Sequence, residues 1–214
     1  MKNIEPKTKR LFAQAYILGG SPCSGKSTLA ERLSRKFKLQ YYKVDDHEKA
    51  HTKRCDPILH PTMSRYATLS WNEIWMRPVA EQVAEEFEYY RERFEMIGQD
   101  LGEYDEEKPL ILEGAAYLPE LIEQIGADPR RVIFMVPTKE FQLQHYRQRP
   151  WIQHILQACA DPEQAFENWM RRDHLFGQDI LRQAKAKGYK TILVDGSRTV
   201  AEQYAQVTAY FELK

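Results

Sequence analysis

The chain has 214 residues, of which 43% are hydrophobic, and equal numbers of acidic and basic side chains. This length suits one large α/β domain, or one domain with an insertion. The zero net charge argues against bulk attraction to nucleic acid or to a membrane surface. No apolar run reaches the length of a membrane span, and three scattered cysteines do not make a disulfide framework. We therefore expect a soluble, cytoplasmic protein, and the oligomeric state is left open.

A glycine-rich motif follows the first predicted strand. Residues 1–10 are polar and basic and are expected to be a loose lead-in. Residues 15–18 are apolar and predict a buried strand, and residues 29–37 have apolar side chains at helical spacing. Between them the chain fits the phosphate-loop pattern G-x-x-x-x-G-K-[ST] at every fixed position. The motif consists of Gly20, Ser21, Pro22, Cys23, Ser24, Gly25, Lys26 and Ser27, with Thr28 after it.

Each fixed position of this loop has a chemical reason. Gly20 and Gly25 have no Cβ, so backbone N–H groups can come close to a polyanionic phosphate chain. The helix that follows adds its N-terminal N–H groups and its dipole. Lys26 is predicted to reach the β- and γ-phosphates, Ser27 to ligate Mg²⁺, and Thr28 to touch the α-phosphate.

An acidic pair ends the second predicted strand. Residues 39–44 predict that strand, and Asp45 and Asp46 follow it directly. Parallel α/β sheets place their sites at the carboxyl ends of the strands, so both aspartates are candidate site residues. The next residues, 47–69, contain Asp-Pro and His-Pro steps and are predicted to be irregular.

Histidines and a cysteine in the irregular segment invite comparison with a metal site. His47, His51 and Cys55 are spaced four apart, and His60 is nearby. The spacing is loose and prolines disrupt it, so solvated or substrate-side residues are favoured over a structural metal.

The longest predicted helix starts at Ser70, where the sequence fits a capping box. Pro78 is expected to interrupt or kink this helix, and Gly98 to end it. Trp71 and Trp75 are four residues apart, and we interpret them as core residues of an amphipathic helix.

The remaining elements complete an alternating pattern. They are a strand at 109–112 ending in Glu113, a short helix between Pro119 and Gly126, a strand at 131–136, a helix from Thr138 to about Arg149, a connection at 150–160, a helix at 161–187, a strand at 191–194 and a helix from Thr199. Five apolar strands separated by helices predict a parallel five-stranded sheet in a three-layer α/β/α sandwich. We predict one domain over 1–214, with a substrate-covering insertion at about 47–108 and a lid at about 147–172.

With these elements placed, the sequence resembles the P-loop kinases of small molecules and nucleotides. The resemblance covers nearly the whole chain but is specific only at the loop, 20–28. It implies the strand order 2-3-1-4-5, with ATP and Mg²⁺ as cofactors. Residues 112–119 also look somewhat like the matching stretch of 2-phosphoglycerate kinases, whereas no substrate signature of adenylate, shikimate or gluconate kinases is found. Glu113 stands where most of these proteins have an aspartate.

The resemblance further implies a lid flanked by arginines that bind the nucleotide phosphates. Arg147 and Arg149 precede the connecting segment, and Arg171 and Arg172 follow it. Adjacent helical residues point about 100° apart, so at most one of Arg171 and Arg172 is expected to face the site.

Other residues are assigned to the nucleotide base and to the acceptor. In this family a loop after the last strand often frames the base, and Ser197 and Arg198 would supply it. Arg65 and Arg77 lie where this architecture puts its substrate-covering helices, and an arginine there can hold a carboxylate or phosphate. Glu113 is a further candidate for substrate binding.

Phosphoryl transfer assigns roles by where charge develops. Lys26, Mg²⁺ on Ser27 and the lid arginines are predicted to neutralise the transferring group. Asp45 is favoured as the base that accepts the proton of an acceptor hydroxyl, with Asp46 the runner-up; the other aspartate caps the helix that follows. Asp45 or Glu113 is also predicted to contact the metal through water.

Three functions fit a phosphate loop. The favoured one is an ATP-dependent kinase for a small-molecule acceptor, and the alternative is a regulatory or hydrolytic ATP-binding protein without such an acceptor. The chain has no Asn-Lys-x-Asp stretch, which disfavours a GTPase. A kinase for nucleic-acid ends is disfavoured because the charge is balanced and no basic stripe is present.

Overall fold

The computed structural model describes residues 5–213, and a five-stranded sheet forms its centre. The strands are β1 (Tyr16–Gly20), β2 (Gln40–Lys43), β3 (Leu110–Glu113), β4 (Val132–Pro137) and β5 (Lys190–Val194). Every neighbouring pair is parallel, and the order across the sheet is β2-β3-β1-β4-β5. This is the order that the resemblance implied.

Helices occupy most of the connections between the strands. They are α1 (Pro6–Gln14), α2 (Lys26–Phe37), α3 (Glu48–Arg54), α4 (Pro61–Tyr66), α5 (Trp71–Trp75), α6 (Val79–Leu101), α7 (Pro119–Ile125), α8 (Lys139–Tyr146), α9 (Pro150–Leu156), α10 (Pro162–Ala186) and α11 (Val200–Tyr210). Short 3₁₀ turns lie at Val44–His47 and Pro129–Arg131. Within residues 5–213, no helix is both long enough and apolar enough to span a bilayer.

The sheet is covered on both faces, because successive side chains of a strand point to opposite sides. Ile17 of β1 belongs to a core shared with α1, α6, α7 and α10. Leu18, the next residue, belongs to a second core shared with α2 and the end of α11. The predicted three-layer α/β/α sandwich is therefore confirmed.

A third, smaller core lies away from the sheet. It joins Trp75 of α5, Ile152 and Ile155 of α9, and Trp169 of α10. These elements belong to the segments that the sequence predicted as the insertion and the lid. The two segments therefore pack on each other, and the cavity described below lies between them.

Part of the segment predicted to be loose is helical. α1 begins at Pro6, and its residues Leu11 and Phe12 are buried. The ring centroids of Phe12 and Phe94 are 5.3 Å apart, so α1 is packed against α6. The prediction was wrong here because α1 has few apolar residues at helical spacing. Residues 1–4 lie outside the described part of the chain.

The helix predicted from Ser70 is two helices. The Ser70 capping box is present, but it caps only α5, and α6 starts after Pro78. Gly98 does not end α6, which continues to Leu101, since Gly98 keeps a helical backbone and its carbonyl accepts a hydrogen bond from Thr8 Oγ1 at 3.1 Å. With 25 residues, α10 is longer than α6 with 23.

Two segments predicted to be irregular contain helices. Residues 47–69 contain α3 and α4, and Pro61 does not break a helix because it occupies the first turn of α4. In the same way, Pro150 begins α9 inside the predicted connection. The helix capped by Thr138 ends at Tyr146, earlier than predicted.

Candidate active site

The loop between β1 and α2 has the backbone geometry that its sequence requires. Gly20 has a φ of +121°, and a Cβ there would lie 2.0 Å from the carbonyl oxygen of Met135. Gly25 has a φ of +81° and is the N-cap residue of α2. Cys23 also has a positive φ, of 66°, which is uncommon for a residue with a side chain. The predicted strand, loop and helix are thus arranged as in a phosphate cradle.

The amine of Lys26 is held inside this loop. Its Nζ donates hydrogen bonds to the carbonyl oxygen of Ser21 at 2.6 Å and to Ser24 Oγ at 3.2 Å. Lys26 is 6% exposed, and burial lowers its pKa, while the nearby Glu113 carboxylate opposes that shift. The loop therefore keeps a buried cation at the position where the phosphates are predicted to bind.

Glu113 brings a buried carboxylate to the same place. It ends β3, is 2% exposed, and accepts a hydrogen bond from the Tyr41 hydroxyl at 3.2 Å. Burial raises the pKa of Glu113, whereas the Lys26 amine and the Ser27 hydroxyl beside it lower that pKa. A hydroxyl and a carboxylate oxygen next to each other are ligands of the type that Mg²⁺ prefers, so the residues present fit this ion.

We call the space above the loop the phosphate cavity. Its volume is about 280 Å³. It is lined by Pro22, Cys23, Ser24, Gly25, Lys26, Ser27, Thr28, Asp45, Tyr90, Glu113, Ala115 and Arg149. Three candidates chosen from separate parts of the sequence, Asp45, Glu113 and Arg149, therefore meet at the loop.

A second, larger space, the aromatic cavity, lies next to it. Its volume is about 470 Å³. It is lined by Asp45, Glu48, Thr52, Met63, Tyr66, Ala67, Trp71, Ile74, Trp75, Glu86, Tyr89, Tyr90, Arg93, Trp151, Ile155, Trp169 and Arg172. Asp45 and Tyr90 line both cavities, so they stand at the boundary between them.

The two adjacent aspartates have different surroundings. Asp45 faces both cavities, whereas Asp46 lines neither and forms an ion pair with Lys43 at 3.3 Å. We expected one aspartate to cap the following helix. That expectation was wrong, because His47 is the N-cap residue of α3 and no side chain caps it.

The lid arginines are spread over different partners. Arg149 lines the phosphate cavity. Arg147 is exposed and pairs with Glu163 at 3.0 Å, and Arg171 is exposed and lines neither cavity. Arg172 lines the aromatic cavity instead. Of the four predicted phosphate contacts, only Arg149 is therefore positioned at the loop.

Arg172 belongs to a buried ionic network on the cavity wall. Its Nε donates to Asp173 Oδ1 at 2.9 Å and lies 3.2 Å from Glu86 Oε2. The guanidinium carbon is 4.7 Å from the ring centroid of Trp75, and the Tyr146 hydroxyl donates to Asp173 Oδ2 at 2.9 Å. The positive charge of Arg172 is thus shared between two carboxylates and an aromatic ring.

The pH dependence of stability should report on Glu86. Burial raises the pKa of Glu86 to about 7, from an ordinary value of 4.5, although Arg172 opposes the shift. Between those values the folded protein binds more protons at this site than the unfolded chain, so the contribution of Glu86 to stability falls as pH rises. We expect the Glu86→Gln variant to gain stability relative to wild type between about pH 5 and pH 7, and the gain to level off above that.

Denaturant unfolding from pH 5 to pH 8 measures this difference. Glu95→Gln is the matched control, because Glu95 is an exposed residue of the same helix. A stability difference between Glu86→Gln and wild type that does not vary with pH contradicts the prediction.

Arg65 and Arg77 share one ion-pair partner. Both form ion pairs with Glu85, and Arg77 also donates to the Tyr66 hydroxyl at 2.9 Å. Neither arginine lines the phosphate cavity or the aromatic cavity. The two positive charges that were predicted to hold an acidic acceptor are therefore paired with a carboxylate of α6.

Ser197 and Arg198 lie outside the two cavities. They line a separate cavity together with Asp195 and Gln206, and Arg198 donates to the Gln206 side chain at 2.6 Å. The structure does not bring them to the phosphate loop, and their role at the nucleotide base stays a prediction.

The histidines considered as metal ligands have other partners. His51 is fully buried and its Nε2 is 2.8 Å from Asp100 Oδ2. His60 is buried too, and its Nδ1 accepts from the backbone N–H of Asp56 at 3.2 Å. They are structural rather than solvated, which corrects the interpretation from sequence. Among residues 5–213, no group of three His, Cys, Asp or Glu side chains is arranged to hold a metal ion.

Several cavity residues were not singled out from the sequence. Tyr90 falls on the apolar stripe of α6 and resembles a core residue, and Arg93 follows it by three positions on the same helix. Trp151 and Trp169 lie in the connection and in α10, with no motif around them. Arg93 could have been suspected from the sequence, because it lies next to the apolar stripe of the helix. A charged residue that is buried there needs a partner of opposite charge.

The sheet order and the loop together define an α/β fold of the P-loop kinase type. No family model and no curated protein matches this sequence.

Similarity to solved structures lies in the fold. A gluconokinase from Sinorhizobium meliloti is 14% identical over 94% of this chain and 93% of that chain, with a TM-score of 0.45. An uncharacterised protein from Eubacterium ventriosum is 15% identical over 94% and 99% of the two chains, with a TM-score of 0.46. A shikimate kinase from Aquifex aeolicus is 19% identical over 92% and 94%, with a TM-score of 0.39. Likeness at these levels does not identify an activity.

Proposed function

We propose that this protein is an ATP-dependent kinase that transfers the γ-phosphoryl group to a small-molecule acceptor. The observation that carries the proposal is the pairing of the two cavities. One is lined by the phosphate loop, the other is large enough for a metabolite, and both are lined by Asp45 and Tyr90. A protein that uses a nucleotide only as a switch has no need of the second cavity.

On the nucleotide side, the loop supplies backbone N–H groups and Lys26 supplies a cation. Lys26 would exchange its hydrogen bonds to the loop for contacts with the β- and γ-phosphates. Ser27 and Glu113 would hold Mg²⁺, which when bound neutralises charge on the phosphates. Arg149 lines the same cavity and would add a second positive charge near the transferring group.

On the acceptor side, Asp45 is the proposed general base. Asp45 lines both the aromatic cavity and the phosphate cavity. An acceptor hydroxyl at this boundary would donate its proton to Asp45 while its oxygen attacks the γ-phosphorus. The insertion, 47–108, and the lid, 147–172, would cover the acceptor and exclude water during transfer.

We expect the lid, residues 147–172, to become ordered when nucleotide and acceptor bind together. Arg149 would then move onto the phosphates and α9 would close over the acceptor. Hydrogen exchange of the lid amides should slow in the ternary complex relative to the free protein, while amides of β4 in the sheet should not change. Equally slow exchange of the lid in both states contradicts this prediction.

Steady-state release of ADP tests the proposed function. Adding single compounds from a set of nucleosides, sugars, sugar acids and antibiotics should raise ADP release with at least one of them, and that compound should gain a phosphate. A flat response across the set, with Mg·ATP bound, would instead favour a regulatory or hydrolytic nucleotide-binding protein.

A further inference from the structure

The aromatic cavity collects every tryptophan of the chain. The sequence contains four, and Trp71, Trp75, Trp151 and Trp169 all line this space. They come from α5, α9 and α10, elements that are separate in sequence. Three tyrosines, at positions 66, 89 and 90, line the same cavity. An aromatic wall of this extent favours a ligand with flat, apolar faces.

The four tryptophans fall into a buried pair and an exposed pair. Trp75 and Trp169 stack on each other with ring centroids 4.0 Å apart, and Arg172 lies over the Trp75 ring. These two rings are 4% and 5% exposed. Trp71 and Trp151 are 41% and 49% exposed while lining the cavity. They are therefore the rings available for stacking on a ligand.

The charges of the cavity are unsuited to an anionic ligand. Its two arginines already have acidic partners, since Arg93 pairs with Glu48, and Arg172 pairs with Asp173 and Glu86. Arg93 also donates through Nε to His51 and through Nη2 to a backbone carbonyl, so each of its nitrogens has a partner. A phosphate or carboxylate would meet no unpaired arginine or lysine among the described lining residues.

A cationic ligand has little support as well. Two of the three lining carboxylates, Glu48 and Glu86, are already paired with the arginines, and the third is Asp45 at the boundary with the phosphate cavity. A positive charge on the ligand would also lie near the Arg172 guanidinium on the same wall. The arrangement therefore favours a ligand without net charge.

We propose that the acceptor is an uncharged aromatic alcohol, of which a nucleoside is one example, with its ring stacked on Trp71 and Trp151. The acceptor class rests on the proposed kinase function, whereas the binding itself does not. The acceptor O–H loses its proton to Asp45, a bond forms between that oxygen and the γ-phosphorus, and the bond from phosphorus to the bridging β,γ-oxygen breaks to release ADP. A phosphate monoester of the acceptor is the product.

Intrinsic fluorescence offers a readout that does not depend on turnover, because all four tryptophans line this cavity. The protein is first saturated with a non-hydrolysable ATP analogue and Mg²⁺, so that added compounds cannot occupy the nucleotide site. It is then titrated with matched pairs: adenosine and AMP, cytidine and CMP, thymidine and dTMP, and glucose and gluconate. At least one nucleoside should change the emission, with a Kd at least tenfold lower than that of its monophosphate.

Three results overturn the inference. They are equal or tighter binding of the monophosphates, binding of gluconate or glucose with no binding of nucleosides, and no change in emission with any nucleoside. Phosphorylation of an anionic acceptor would refute the inference and leave the kinase function intact. Binding of nucleosides without any stimulated ADP release would support the ligand class and refute the kinase function.

Variants locate the stacking contact. By calorimetry, Trp71→Ala should raise the Kd of the bound nucleoside about tenfold, and Trp71→Phe should keep most of the affinity. Trp71 is exposed, so the variant is expected to fold. Ile58→Ala is the matched control, since Ile58 is a highly exposed apolar residue that lines neither cavity. An unchanged Kd in Trp71→Ala contradicts the proposed stacking.

Discussion

We expect Lys26→Ala to abolish turnover and to weaken the binding of Mg·ATP. Lys26 is the buried cation of the loop, and its amine is fixed by Ser21 and Ser24 before any ligand is bound. A positive charge close to the transferring group stabilises the transition state, and loss of one such stabilising group typically costs about 10²–10³ in kcat. The loss here should be at the upper end of that range or beyond, because the lost group is a full charge.

The variant should stay folded. Burial lowers the pKa of Lys26, because removing the charged amine from water costs free energy in the folded state. Alanine removes that cost together with two hydrogen bonds. Lys43→Ala is a suitable control, because Lys43 ends β2 and pairs with Asp46 outside both cavities. Calorimetry with ATP, a thermal melt and a turnover assay are needed, and normal ATP affinity with normal turnover in a folded Lys26→Ala protein would refute the assignment of the loop.

The loop and the sheet could be predicted because their determinants are local. Gly20 and Gly25 have positive φ angles, which favour glycine at these positions themselves. Lys26 follows Gly25 directly as the first residue of α2. The strands are short apolar runs buried on both faces, so each is visible without knowing its neighbours. The order of the strands is not local, and it came from the resemblance rather than from any residue.

The walls of the aromatic cavity could not be predicted in the same way. Arg172 and Glu86 are far apart in sequence, and only the packing of α10 on α6 makes them partners. A buried tryptophan such as Trp75 has the same apolar spacing whether it fills a core or lines a cavity. Arg65 and Arg77 were assigned to the acceptor from their position alone. Their shared partner Glu85 could not be recognised in advance, because nothing in the sequence distinguishes it from the other charged residues of that helix.

Asp45→Asn should remove most of kcat while leaving ATP affinity and the melting temperature nearly unchanged. Asp45 is exposed, lies in the 3₁₀ turn after β2, and makes no ion pair with another described residue. Asparagine has nearly the same shape but cannot accept a proton from the acceptor. Loss of a general base typically lowers the rate by about 10²–10⁴.

Asp46→Asn is the matched control for this substitution, because the same change is made one residue away. Asp46 is exposed and, among residues 5–213, has Lys43 as its one ion-pair partner, and exposed ion pairs contribute little to stability. We therefore expect kcat of Asp46→Asn to be close to that of wild type. If both variants keep near-normal kcat with a proven acceptor, neither aspartate is the base. The proton would then leave through solvent, and Asp45 would serve only to orient the acceptor at the boundary of the two cavities.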